Sequence, residues 1–320
     1  MLIINFHNVV SGPLNAFDRN AAPRVDVRQF TSAIDWLGKR FEIISFNEFL
    51  LRLKQKPTND QAVTLTFDDG YCGVWRHAFP ILKKRGLDAA VMVVTQALES
   101  GSKLFHFEEL EMAFRISRAT QLNLPGRRPQ SIETVTDRIC CLKTLKQALK
   151  LQPESLRVRK HDQLLQHLGV TREQFGEASK KFPVFEKLNG EQLKLLAKAG
   201  WTIGSHTRTH RTLSCLNDEE AMQEITASRD DIHAHLGLKD MPFAYPYGGP
   251  QHIGDRIHKM VGKSRYTCAL TTTAGRNSPA SNRFRLRRIN IEYFYEHQPG
   301  IFDWYGRSEE NEYLSLGKIP

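Results

Sequence analysis

Apolar positions along the chain follow two rhythms. Short runs, alternating or continuously apolar and closed by turn residues, occur at "LIINFH" (2–7), "FEIISF" (41–46), "AVTLTF" (62–67) and "DAAVMVV" (88–94). Runs of this length and make-up predict β-strands. Between them lie longer segments with apolar residues three and four apart. In "VRQFTSAIDWLGKR" (27–40), Phe30, Ile34 and Leu37 share one helix face. "NEFLLRLKQK" predicts a helix with Asn47 as its N-cap, and the helix through "AFPILKKRG" stops at Gly86. A loop rich in Pro, Asn and Gly follows the first strand. Strands alternating with helices over 1–97 predict a mostly parallel sheet with helices outside it.

Residues 98–186 break the alternation. "FHFEELEMAFRISRAT", "ETVTDRICCLKTLKQALK", "ESLRVRKHDQLLQHLGV" and "TREQFGEASKKF" all carry helical patterning, so this segment is expected to be a helical insertion lying outside the sheet. Its histidines, His106, His161 and His167, show no pattern with a carboxylate pair, and no metal ligand is expected from it. The alternation returns over 187–298: helix "GEQLKLLAKAG", strand "WTIGSH", helix "NDEEAMQEITASRDDIHAHLG", strand "PFAYPYG", helix "IGDRIHKMVGKS", and strands "YTCALTTT" and "RLRRINI". Residues 299–320 are left as a C-terminal tail. The flanking pieces supply seven or eight strands, enough for an α/β barrel of mostly parallel strands.

Composition narrows the class. At 320 residues, 40% apolar and 25% charged, the chain reads as a globular protein with a sizeable core. Lys and Arg number 45 against 35 Asp and Glu, which favours anionic neighbours: an acidic glycan, a phosphate-bearing lipid carrier, a membrane face or nucleic acid. No nucleic-acid reading module is recognisable. Six of the ten net positive charges fall between residues 100 and 185; most are expected on a solvated helix face, though such a segment can also shape a groove. Five cysteines without a Cys-x-x-Cys pair suit a reducing compartment. The start "MLIINFHNVV" has no signal-peptide pattern and no segment has the length of a transmembrane span, so a cytoplasmic location is expected, compatible with association at the inner membrane face.

Three stretches carry candidate chemistry. The strand "AVTLTF" ends in Asp68, Asp69 and Gly70, either a plain Asp-Gly turn or a paired carboxylate site. In "GWTIGSHTRTH", His206 and His210 stand four residues apart, a spacing that puts both imidazoles on one face of a helical turn, as a metal requires. In "FAYPYGGP", Pro246 fixes the chain while Gly248 and Gly249 permit unusual angles; such a loop can aim backbone N–H groups at an oxyanion, or be a simple turn.

"TFDDGY", "SHTRTH" and "YPYG", in this order and each at a predicted strand end, resemble the motifs of the polysaccharide deacetylases of the NodB-homology type. The resemblance covers the chain except the helical insertion and the tail. It implies a distorted barrel of parallel strands and metal-dependent hydrolysis of N-acetyl groups from an amino sugar or polysaccharide. By the same resemblance Asp68 is the general base, and Asp69, His206 and His210 are ligands of a divalent metal. Zinc is expected, with Co2+, Ni2+ or Mn2+ also compatible with such a donor set. Tyr247 stands where the family uses a backbone N–H for the oxyanion. Tyr71 and Arg288 are further candidate oxyanion or substrate contacts, and Cys72 is read as packing.

Two departures accompany the resemblance. The arginine that many members carry two residues before the motif proline, paired with the catalytic aspartate, is here Ala244. Arg287 or Arg288 can supply that charge. The late segment bearing the general-acid histidine is not evident, and His297 does not fit it. "INFHNVV" resembles instead the opening strand of members with permuted motif order, including poly-N-acetylglucosamine deacetylases, which makes His7 the implied acid. The expected function is deacetylation in exopolysaccharide or cell-envelope biosynthesis, on a substrate that can be anionic or linked to a lipid phosphate. The alternatives are deformylation of a lipid-linked amino sugar and glycan binding without catalysis.

Overall fold

The computed structural model describes residues 1–55, 61–100, 104–124, 126 and 128–291. The expected tail and His297 lie outside them. Eight strands form one parallel sheet: β1 (Leu2–Phe6), β2 (Glu42–Ile43), β3 (Ala62–Phe67), β4 (Ala90–Val93), β5 (Thr202–Ser205), β6 (Phe243–Ala244), β7 (Ala269–Leu270) and β8 (Ile289–Asn290). Their spatial order is β7-β6-β5-β4-β3-β1-β8, with β2 on the start of β3. The period of two sorts the side chains. Leu2, Ile4 and Phe6 with Val63, Leu65 and Phe67 pack under helices such as Val27–Gly38. The alternate residues Ile3, Ala90, Met92, Ala244 and Leu270 meet in a second cluster, although they come from strands at both ends of the sheet. That is the interior of a barrel.

One short run closes it. Leu286 bridges Leu270 on one side, with Thr271 N donating to Leu286 O at 2.8 Å. Ile289 and Asn290 pair with Ile4 and Asn5 on the other. The fold is therefore the α/β distorted barrel that the strand count predicts.

Between β4 and β5, the helices His106–Ile116, Val135–Lys150, Glu154–His167 and Arg172–Lys180 build a core of their own around Leu110, Phe114, Leu142, Leu165 and Phe175. Several local features differ from expectation. The helix read at Asn47 spans Phe46–Arg52 and is capped by Ser45, whose Oγ accepts from Glu48 N at 3.0 Å, and the preceding strand stops at Ile43. The loop after β1 contains a helix, Ala16–Ala21, and a small parallel pair, Asn8–Val10 with Arg24–Asp26. A short antiparallel pair, Gln121–Leu122 with Gln130–Ser131, interrupts the insertion. Strands of two or three residues are too short to show a period. For the same reason "RLRRINI" contributes only its last residues as a strand.

Candidate active site

The C-terminal ends of β1, β3, β5 and β6 meet at one rim of the barrel. There Asp68 and Asp69 leave β3 in different directions, because Asp69 and Gly70 both take the left-handed conformation, each with φ of 71°. That conformation is costly for an aspartate, and such strain concentrates at functional sites.

Asp68 is buried and gripped by Arg288, with Nη1 at 2.8 Å from Oδ1 and Nη2 at 2.7 Å from Oδ2. Asn5 Nδ2 donates to Oδ2 at 3.2 Å. Arg288 is 0% exposed and is itself fixed by donating to Thr271 O and to Asn5 Oδ1, both at 2.8 Å. Burial pushes the Asp68 carboxyl up, but Arg288, helped by His206 and His7, outweighs it and holds the group below its ordinary range. The guanidinium that position 244 lacks is thus delivered from the barrel-closing run. Arg288 rather than Arg287 fills that place. Its complete burial also corrects the expectation that Arg288 touches substrate: it orients Asp68 from behind.

Asp69 faces His206 and His210. Its Oδ1 lies 3.5 Å from His206 Nε2 and 3.3 Å from His210 Nε2, yet it is buried without a hydrogen-bond partner among the described residues. One ligand atom from each residue falls within 4.8 Å of the others. Burial raises the Asp69 carboxyl, but His210, with His7 and His206, brings it well below the usual carboxylate range. His206 Nδ1 is 2.8 Å from the carbonyl of Ala244, which only accepts, so Nδ1 carries the proton and Nε2 presents its lone pair to Asp69. Burial pushes His206 down to about 4, keeping it neutral. A buried carboxylate oxygen without a donor, facing imidazole nitrogen, fits a divalent cation. Asp69, His206 and His210 would offer such an ion one oxygen and two nitrogens.

The two histidines do not share a helical turn, as their spacing suggests. Thr207 and His210 are left-handed, with φ of 66° and 60°. A loop brings the rings to 4.8 Å between centroids. Glu224, which sequence patterning hides in a long helix, secures that loop: its Oε2 accepts from Arg208 N at 3.0 Å and Thr209 N at 2.9 Å, and its other oxygen from the Thr209 hydroxyl. Thr207 Oγ1 accepts from His210 N at 3.0 Å.

Asp68, Asp69, His206 and His210 line a cavity of about 430 Å³ together with His7, Tyr71 and Tyr247. His7 follows β1 directly and is half-buried. Tyr247 has φ of 61°, packs its ring edge-on to His210 at 5.0 Å, and accepts at its carbonyl from Thr272 Oγ1 at 2.7 Å. Gly248 beside it also has positive φ, and a Cβ there would meet Thr272 N at 2.6 Å. Tyr71 contributes its ring alone, since its hydroxyl donates to Glu108 Oε1 at 2.6 Å. Cys72 is buried beside Gln192, as packing implies.

The insertion supplies a further wall. None of its histidines belongs to the ligand set among the described residues. His106 nonetheless reaches the cavity, its Nε2 3.1 Å from the Tyr247 hydroxyl, and its carbonyl accepts from His161 Nε2 at 3.0 Å. Burial, with Arg157 and His210 nearby, keeps His106 well below its ordinary pKa. Phe107, Lys143, Lys146 and Lys150 line the same wall. No spacing in the sequence joins these residues to the motif loops.

The polysaccharide deacetylase family pattern matches residues 55–122 and 163–269, more than half of the chain. YxkH of Bacillus subtilis (strain 168), a protein assigned to the same family, is 29% identical over 113 residues, 35% of this chain and 38% of that protein. The chain therefore matches well under two thirds of that relative's length. Among solved structures, Streptococcus pyogenes deacetylase PplD in complex with acetate superposes with a TM-score of 0.61 at 18% identity, covering 96% of this chain and 98% of the other. IcaB from Ammonifex degensii gives a TM-score of 0.56 at 18% identity, with 96% and 97% covered. At these identities the two structures speak for the fold.

Proposed function

Since the chain belongs to the polysaccharide deacetylase family, we propose that its cavity hydrolyses N-acetyl groups of an amino sugar within a polysaccharide, in exopolysaccharide or cell-envelope biosynthesis. One observation carries the reading. A carboxylate held ionised by a fully buried guanidinium stands next in sequence to one whose Oδ1 faces two histidines with no hydrogen-bond partner among the described residues. A binding barrel has no use for both.

Asp69, His206 and His210 would hold the divalent cation, zinc suiting this donor set. Bound there, such an ion supplies Lewis-acid polarisation of the acyl carbonyl and makes water easier to deprotonate. Asp68 takes the proton from the attacking water: Arg288 keeps it charged at neutral pH, and Oδ1, which takes one donor from Arg288 while Oδ2 takes two, retains a second lone pair. The Tyr247 N–H donates to the carbonyl oxygen as it gains negative charge. His7 protonates the departing amine, whose anion is too basic to leave unaided. The left-handed backbone at Asp69, His210 and Tyr247 sets these groups before substrate arrives.

The test is acetate release from N-acetylglucosamine oligomers by zinc-loaded protein, with zinc measured in each variant. Asp68→Asn should keep the metal and lose activity by about 10²-fold or more. His206→Ala and His210→Ala should lose most of the metal, because a site with three protein ligands rarely spares one. Full zinc retention in both histidine variants, or no acyl release from any N-acylated sugar, would overturn the proposal.

A further inference from the structure

The cavity also has a basic wall that the proposed hydrolysis does not use. Residues 19–24 and the helix Val135–Lys150 build it, and Arg19, Arg24, Lys143, Lys146 and Lys150 all line the cavity. Lys143, Lys146 and Lys150 recur at three and four residues, which brings them to one helix face. Acidic partners are few. Glu111 serves Arg24 at 2.8 Å, Arg115 at 2.9 Å and Lys146 at 3.3 Å at once. Arg24 is 4% exposed and also lies 3.7 Å from Asp18, and its Nε and Nη2 have no hydrogen-bond partner among the described residues. Lys150 has no carboxylate partner among the described residues; its ammonium sits 4.9 Å above the Tyr247 ring, which in turn packs on His210. The cavity's own aspartates do not balance this wall, since Asp68 is neutralised by Arg288 and Asp69 belongs to the ligand set.

Arg19 and Lys143 stay exposed, but Arg24 is buried and Lys146 and Lys150 are partly buried; cations so withdrawn from water are costly without full counter-charge, so a concave surface that gathers them is made for an anion. We infer that this wall binds a phosphate or carboxylate group carried by the amino-sugar substrate, with Lys150, whose ammonium sits over the Tyr247 ring, as its cation on the side of the proposed hydrolysis. Lys150 behaves accordingly: burial, with Lys146 adding to it, pushes its ammonium down to about 8, a cost that a bound anion offsets. The inference rests on the proposed deacetylase reading only for the sugar; the anion site is built from different residues.

Calorimetry on the zinc-loaded full chain can compare N-acetylglucosamine, N-acetylglucosamine 1-phosphate and N-acetylmuramic acid. An anionic sugar should bind about tenfold or more tightly than the neutral one, the scale of a charge-assisted contact in a partly desolvated site. The preference should shrink as salt is raised. Preference for the phosphate sugar alone assigns phosphate, and preference for both charged sugars assigns an anion site of broader taste. Lys150→Gln, alone or with Lys143→Gln, should remove most of the preference, while Lys239→Gln on the exposed surface should leave it. Equal affinity for all three sugars, or a preference unchanged in the Lys143/Lys150 double variant, overturns the anion site. Acetate release from neutral oligomers is then unaffected and the deacetylase reading survives. Anion preference without acyl release from any sugar does the reverse.

Discussion

At the scale of single residues, the two neighbouring aspartates divide their work through what stands behind each. Asp68 has a planar fork behind it and Asp69 has none. Lysine carries the same charge as arginine but cannot hold both carboxylate oxygens at once. Arg288→Lys should therefore keep Asp68 ionised yet free to rotate. Turnover should fall about 10- to 100-fold with KM and zinc content little changed, as expected for a base that is present but misdirected. Parallel loss of zinc and thermal stability would mean that Arg288 serves only the barrel. Ala244 shows the same economy from the other side. Its side chain does nothing for Asp68, but its carbonyl selects the His206 tautomer.

At the scale of elements, what the sequence discloses depends on periodicity. Val63, Leu65 and Phe67 alternate, so β3 and the carboxylates at its end are legible; so are "WTIGSH" and its histidines, each motif closing a strand with a turn. The left-handed path from Thr207 to His210 is not legible, since neither residue type announces it. Nor is the place of Arg288, which depends on a run that pairs with strands more than 200 positions earlier. The lysines of Val135–Lys150 look like a solvated face in sequence; in the fold Lys146, which donates to Ala21 O, and Lys150 are partly buried, while Lys143 stays exposed at the cavity's edge. Asp88, just before β4, is a smaller surprise. Burial alone pushes its carboxyl up to about 6, and its Oδ1 has no hydrogen-bond partner among the described residues. A raised pKa in the folded state favours the protonated form, so this contribution is complete below the unfolded value of about 3.9 and lost as pH rises through about 6. Asp88→Asn should raise the melting temperature at pH 8 by only about 1–2 °C, because solvent screens a half-buried group, and change it little at pH 4. Equal shifts at both pH values would contradict this account.

For the whole molecule, the question is what ties the insertion to the barrel. Glu111 on the insertion is fully buried against Arg24 from the loop after β1, and against Arg115 and Lys146. Burial raises its carboxyl, but Arg24, Lys146 and Arg115 bring it well below the usual range. A depressed pKa means stability present above the unfolded value of about 4.3 and lost progressively as pH falls below it. Glu111→Gln leaves three cations without their common partner, and should cost about 3 kcal/mol at pH 7 by urea unfolding. The gap from the unmodified protein should narrow by pH 3.5. A constant gap at both pH values would show that the buried charge is not its source.

Barrel closure has a consequence in time as well as in space. Asp68 and Arg288 are 220 positions apart, and Asn5 and Arg288 are 283 apart. During synthesis, β1 and β3 emerge long before the run that completes both the sheet and the Asp68 pair. Until then, a carboxylate destined for burial keeps its water, and β1 offers an open edge to other chains. Contacts of such long range form slowly, because loop-closure entropy is lost before they contribute. Catalytic competence should thus be among the last properties a refolding chain regains, arriving with the final closure rather than with the secondary structure.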